Sequence, residues 1–156
     1  MKQFDWQCKR FAQLSNDQLY ELVKFRVDIF VVEQHCPYPE LDDKDRLADT
    51  LHLIAYQHAK IIAYARLLPP GASYSETSIG RFAVAEPLRR EGIGSMLMDK
   101  CLEQIATLWP DHDTKVSAQA HLENFYAAFG FIKNSHTYLE DNIPHIEMFK
   151  TKSHAS

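Results

Sequence analysis

Three cysteines among 156 residues, at positions 8, 36 and 101, are too few and too far apart for a disulfide framework. They are expected as small buried or half-buried thiols. Without a CxxC or HExxH spacing, neither these thiols nor the eight histidines suggest a metal site, and none is expected. No stretch approaches the ~18 apolar residues of a membrane span. The opening Met1-Lys2-Gln3-Phe4-Asp5-Trp6 lacks the apolar core of a signal peptide, so a cytoplasmic protein without a membrane partner is expected. No basic run exceeds a pair such as Arg89-Arg90, and the net charge is −4, which gives no whole-molecule attraction to nucleic acid. The two commonest phosphate loops are also absent. No GxxxxGKS/T occurs, and Gly92-Ile93-Gly94 is followed by Leu97 where a dinucleotide fingerprint needs its third small residue.

What is present fits one domain over residues 1–150 with a short polar tail, 151–156. The chain is 46% apolar and 24% charged, and a domain of this length buries roughly two-thirds of its unfolded surface. Residues 4–11 alternate loosely, as in a first strand. Ser15 with Gln18 forms a capping-box pattern, and Leu19, Leu22, Val23, Arg26, Val27 and Phe30 recur at helical spacing from about 16 into the low thirties. Pro37 and Pro39 stop that helix. Residues 35–49, with two prolines and five acids, read as a surface loop. Residues 50–56 and 61–68 are β-rich and joined as a hairpin, and 77–85 form the next strand. A helix with an apolar stripe at Leu97, Met98, Cys101, Leu102 and Ile105 follows and ends at Trp109-Pro110-Asp111. Then come a strand at 115–120, a short helix at 121–129 closed by Gly130, a strand at 131–138 and a last strand around 145–149. The order β-α-β-β-β-α-β-α-β-β predicts a single α/β sandwich with a mixed sheet.

The segment Arg89-Arg90-Glu91-Gly92-Ile93-Gly94 links the strand at 77–85 to the amphipathic helix. A glycine-rich turn at a helix start leaves backbone N–H groups without partners beside the positive end of the helix dipole. That is an anion cradle suited to phosphate. Gly92 and Gly94 remove side chains where a bulky ligand would meet the backbone. Farther on, Phe125-Tyr126-Ala127-Ala128-Phe129-Gly130-Phe131 reads as a short helix with a glycine cap. Packing explains its phenylalanines but not Tyr126, whose phenol can donate a proton at neutral pH.

RxxGxG after a strand, followed by a further strand and FYxxxGF, resembles the GNAT superfamily of N-acetyltransferases. Residues 26–45 (RVDIFVVEQHCPYPELDDKD) and 138–148 (YLEDNIPHIEM) are similar to its ElaA-like branch. The resemblance spans nearly the whole chain. It implies the acyl-CoA N-acyltransferase fold, a mostly antiparallel sheet flanked by helices. It also implies acetyl-CoA as co-substrate and transfer of its acetyl group to a primary amine of a small molecule or peptide in a ternary complex. By the same likeness the pyrophosphate lies against Arg89, Arg90, Gly92, Ile93, Gly94 and Ser95, and the pantetheine arm pairs with the backbone of Phe82, Ala83 and Val84. An amide N–H of that strand polarises the thioester carbonyl, and Tyr126 protonates the departing thiolate. Gln119 stands where many relatives carry asparagine, and whether it takes over that contact stays open. A homodimer is compatible with the resemblance.

The acceptor side is less defined. An amine of pKa ~10.4 costs roughly 4.6 kcal/mol to deprotonate at neutral pH, against about 1.4 for an α-amino group. A base is therefore wanted, with His145 first, then Glu33 and Glu147, and His52 and His121 behind them. Gln34, Tyr38, Arg66 and Arg81 are candidate acceptor contacts. Arg66 and Arg81 equally suit pairing with Asp42, Asp43 and Asp45. Two other functions stay open: an acyl-CoA-binding module without turnover and, from Arg26-Val-Asp-Ile-Phe30, an acyl-homoserine-lactone-synthase-like enzyme.

Overall fold

A computed structural model describes residues 3–152; of the polar tail expected over 151–156, residues 153–156 lie outside them. Among the described residues, no helix is long and apolar enough to cross a membrane. Eight strands form one sheet: β1 (Asp5–Lys9), β2 (Leu51–Gln57), β3 (Lys60–Leu68), β4 (Thr77–Val84), β5 (Thr114–Gln119), β6 (Ile132–Lys133), β7 (Tyr138–Glu140) and β8 (Ile143–Lys150). Their spatial order is β1-β2-β3-β4-β5-β8-β6, with β7 also on β8. Every pairing is antiparallel except β4 with β5. The single strand expected at 131–138 is two short ones, because Asn134, Ser135 and the residues after them turn the chain between two separate stretches of β8.

Alternation along β2 and β3 decides where the helices go. Leu51, Leu53 and Ala55 with Ala63, Ala65 and Leu67 face α2 (Ile93–Leu108), whose Ile93, Leu97, Met98, Cys101 and Ile105 complete the main core. Ile54 and Tyr64, one residue out of phase, face Leu22 of α1 (Asn16–Arg26) in a second core. Both faces of these strands are thus covered, which is why β2 and β3 read as nearly continuous apolar runs. The hairpin between them closes on His58 and Ala59, both with positive φ, as a two-residue turn matched to the strand twist requires.

The capping box forms as expected: Ser15 accepts from the Gln18 N–H, and Gln18 accepts from the Ser15 N–H. The helix does not run on in α form. From Val27 to Glu33 it widens into a π-helix before Gln34 and the proline segment. Such i→i+5 stretches cluster at functional sites, and Ile29, Phe30, Glu33 and Gln34 supply one wall of the cleft described next.

Candidate active site

β4 and β5 pair only at Thr77 with Thr114 and Ser78 with Lys115. Beyond those residues the two strands part, although β4 continues to Val84 and β5 to Gln119. A cleft of about 860 Å³ fills the gap, floored by residues 78–84 of β4. Past Ser78, β4 therefore has β3 on one side and the cleft on the other. Tyr64 pairs with Ala83 and Arg66 with Gly80, so β4 carries one extra residue at 81–82 opposite Ala65. This is a β-bulge, a device that re-aims a strand beside a site. Arg81 takes φ +50 there, the left-handed region.

At the far end of β4 the chain enters α2. Its N-cap, Gly92, has φ +82 and no side-chain cap, so the first helical N–H groups stay open to a ligand. Glycine is required at 92 by conformation, since no atom lies within 4 Å of where a Cβ would stand. A Cβ on Gly94 would meet the Phe125 ring at 3.8 Å and Val84 at 4.0 Å, ordinary contact. The Ile93 side chain is 1% exposed and belongs to the core, so only its backbone can serve a ligand. Arg90 and Ser95 are exposed at the rim. Arg89 is already engaged. Its Nε donates to the Val84 carbonyl at 2.8 Å, and its two terminal nitrogens donate to the Glu33 carboxylate at 2.8 and 3.2 Å.

Tyr126 lies on α3 (Glu123–Ala127) and faces the cleft from within an aromatic cluster. Phe125 and Phe131 stand edge-on to its ring at 5.3 and 5.7 Å, and Phe82 lies 6.4 Å away. Among the described residues its hydroxyl has no hydrogen-bond partner. Burial raises its pKa well above the usual phenol range, so the phenol stays protonated at any working pH.

Across the cleft, Gln119 of β5 pairs in register with His145 of β8, and both line the cavity. His145 is 7% exposed; its Nδ1 lies 2.7 Å from the Ile143 carbonyl, which fixes Nδ1 as the protonated nitrogen. In the neutral ring Nε2 is then the nitrogen with the lone pair; it lies 3.4 Å from Glu140 Oε2, and the ring stacks on Tyr138. Ser117 joins this group by a 2.5 Å contact to the Tyr138 hydroxyl and a 3.2 Å bond to Glu140. The remaining base candidates separate clearly. His121 lines the cleft. His52 does not: it is fully buried, with its nitrogens 2.6 Å from the Tyr64 hydroxyl and 3.0 Å from the Asp45 carbonyl. Glu147 pairs with Lys115 at 3.5 Å away from the cavity lining.

Gln34, Tyr38, Arg66 and Arg81 all reach the cleft, the last two from within a network that orders the acidic loop. Arg26, fully buried, binds Glu40 at 2.8 Å and Asp45 at 2.7 Å. Arg66 grips Asp42 with two 2.8 Å bonds and reaches Asp45 at 3.1 Å. Arg81 bonds Glu40 Oε1 at 2.8 Å, and the Tyr38 hydroxyl donates to the other Glu40 oxygen. Asp43, the third acid considered at the sequence level, pairs instead with Arg46 on the exposed surface. Burial opposes the charge on Asp42, yet its bonds to Arg66 hold the carboxyl down to about 2. Asp45 is lowered in the same way, against its burial, by Arg26 and Arg66. The loop is thus a fixed wall. Sequence patterns do not reveal Glu40 or Arg26 as its hub, because the partners lie 14 to 41 residues apart. Tyr138 and Glu140 were legible in principle, since alternate residues of one short strand share a face.

The open β4 edge and the uncapped start of α2 fit an acyl-CoA, whose pantetheine amides need a strand partner and whose pyrophosphate needs N–H donors. Comparison with known proteins agrees. A model of the acetyltransferase (GNAT) domain matches residues 24–152. The chain is 44% identical to protein ElaA of Escherichia coli K12 over 144 residues, covering 92% of this chain and 94% of that one. Among solved structures, an acyl-CoA N-acyltransferase from Pseudomonas aeruginosa superposes with TM-score 0.91 at 42% identity over 96% of this chain and all of that one. The crystal structure of Escherichia coli ElaA gives TM-score 0.91 at 42% identity, with 95% and 99% covered. The chain belongs to the GNAT family, as an ElaA-like member with the acyl-CoA N-acyltransferase fold.

Proposed function

We propose that the protein transfers an acetyl group from acetyl-CoA to a primary amine of a small molecule or peptide, by direct attack with both substrates bound. The observation that carries this reading is the unpaired edge of β4. It leads from the bulge at Arg81 to the uncapped N-terminus of α2, with the Tyr126 hydroxyl facing the same cleft. The N–H groups of Gly92 to Ser95 hold the pyrophosphate, and Arg90 adds positive charge at the rim. Backbone groups of Phe82 to Val84 align the pantetheine arm and polarise the acyl carbonyl. Holding donor and acceptor together supplies a large part of the rate.

The amine nitrogen bonds to the carbonyl carbon and the carbon–sulfur bond breaks. His145 Nε2, 3.4 Å from Glu140 Oε2, receives the amine proton. Tyr126 supplies a proton, or a hydrogen bond, to the leaving sulfur. Because burial makes this phenol a weaker acid than the CoA thiol, its contribution is mainly a hydrogen bond to the developing thiolate. Glu33 is already paired with Arg89, which places it behind His145 as a base.

The test is release of free CoA thiol from acetyl-CoA by the purified protein across a panel of small amines, amino acids and peptides. Amine-dependent release supports the reading. Tight acetyl-CoA binding with no release on any amine would favour the non-turnover module instead.

A further inference from the structure

A strand residue with φ +50 and a side chain larger than glycine is strained. In β4 that residue is Arg81, at the bulge of the strand that floors the cleft. Its side chain shows how the conformation is held. Arg81 Nε donates to Glu40 Oε1 at 2.8 Å, a terminal nitrogen donates to the Glu40 carbonyl at 3.1 Å, and the guanidinium lies over the Tyr38 ring at 5.6 Å. Glu40 is itself immobile. It is 5% exposed, its Oε1 also accepts from Arg26 Nε at 2.8 Å, its carbonyl accepts from Arg26 at 3.3 Å, and its second oxygen accepts from the Tyr38 hydroxyl. The bulge is therefore tied, through one carboxylate, to a fully buried arginine of α1.

We infer that the Glu40–Arg81 clamp holds the β4 bulge in the conformation that presents the Phe82–Val84 amides to the acyl carbonyl, making Glu40 and Arg81 positioning residues for acyl transfer. Neither touches the reacting atoms in this account. The inference rests on the acyl-CoA reading of the cleft. It assigns the acidic loop a task as well: the loop carries Glu40 to the bulge, and its other ion pairs keep Glu40 in place. A small displacement of carbonyl-polarising donors costs rate rather than affinity, since acyl-CoA is gripped along its whole length.

Glycine separates strain relief from side-chain chemistry, because it adopts φ +50 without a clamp. Arg81→Ala removes the clamp and leaves the strain, whereas Arg81→Gly removes both. Expected for Arg81→Ala is a fall in kcat of about tenfold, with the KM for acetyl-CoA within twofold of wild type. Arg81→Gly is expected to keep at least three times the kcat of the alanine variant and to melt about 2–4 °C above it. Glu40→Gln lowers kcat, and adding Arg81→Gly to it raises kcat again. Equal melting temperatures for the two Arg81 variants would overturn the inference. So would a loss carried mainly by the acceptor KM, which would make Arg81 a substrate contact. The melting comparison needs no turnover, so failure of the acetyltransferase reading and failure of the clamp are distinguishable.

Discussion

The two sides of the cleft are built from different material. The side proposed for the donor is backbone: the free edge of β4 and the uncapped N–H groups at the start of α2, with glycine at the N-cap because the chain must pass through φ +82. The wall proposed for the acceptor is side chain: three arginines from α1, β3 and β4 clasp three acids of one loop, Glu40, Asp42 and Asp45. A backbone site recognises what all acyl-CoA molecules share. A side-chain wall is free to differ wherever the acceptor differs, and it needs a fold that keeps its charges paired once they leave water.

That contrast can be broken at several points. The largest effect is expected from Gly92→Asp combined with Gly94→Asp, which places two carboxylates in the anion cradle. Acetyl-CoA binding measured by calorimetry should fall by more than about a hundredfold, as the like charges repel the pyrophosphate. The fold should survive with a lower melting temperature, because a side chain at φ +82 adds strain at position 92 while acids at a helix start are favourable. Arg26→Met probes the other wall. It leaves Glu40 and Asp45 buried without their fully buried partner, and loses about 3–5 kcal/mol in a urea titration. Tyr126→Phe comes next. A single-turnover assay should show a roughly tenfold slower acyl transfer, below the ~10²–10⁴-fold of full proton transfer because the phenol mainly donates a hydrogen bond, with acetyl-CoA affinity unchanged. A change in affinity without a change in rate would remove Tyr126 from the leaving-group role.

Acid gives the smallest and most gradual effect. Asp42 and Asp45 have folded pKa values below their ordinary 3.8. Their ion pairs therefore contribute fully above about pH 4 and are lost as pH falls toward the folded value of about 2 for Asp42. Limited acid proteolysis is expected to cut within 35–49 first over that interval. A first cut in the α2 turn would contradict the assignment of the loop as the charge-pinned wall.

The same contrast explains what could be read without coordinates. The glycine turn before α2 is legible in the sequence, because a backbone cradle leaves a local signature. Gly92 and Gly94 sit one residue apart, between a strand and an amphipathic stripe that proved to be Leu97, Met98, Cys101 and Ile105 of the core. The acceptor wall left no such trace. The partners of Arg26 and Arg81 arrive from a loop that sequence marks only as acidic and proline-bearing, and Asp43, chemically identical to Asp42 and Asp45, turns outward to Arg46. Two backbone features were equally silent. The π-helical widening at Val27–Glu33 keeps helical apolar spacing, and the bulge at Arg81 puts a residue with no glycine-like signature into the left-handed region. The short β6 and β7 read as one strand in the sequence because only their pairing on separate stretches of β8 divides them.

Amide hydrogen exchange with and without acetyl-CoA tests the division of the cleft most directly. The expected result is added protection at residues 82–84 and 92–96, with residues 35–49 already protected and unchanged. Protection gained mainly in 35–49, with none in the α2 turn, would contradict a donor site made of backbone.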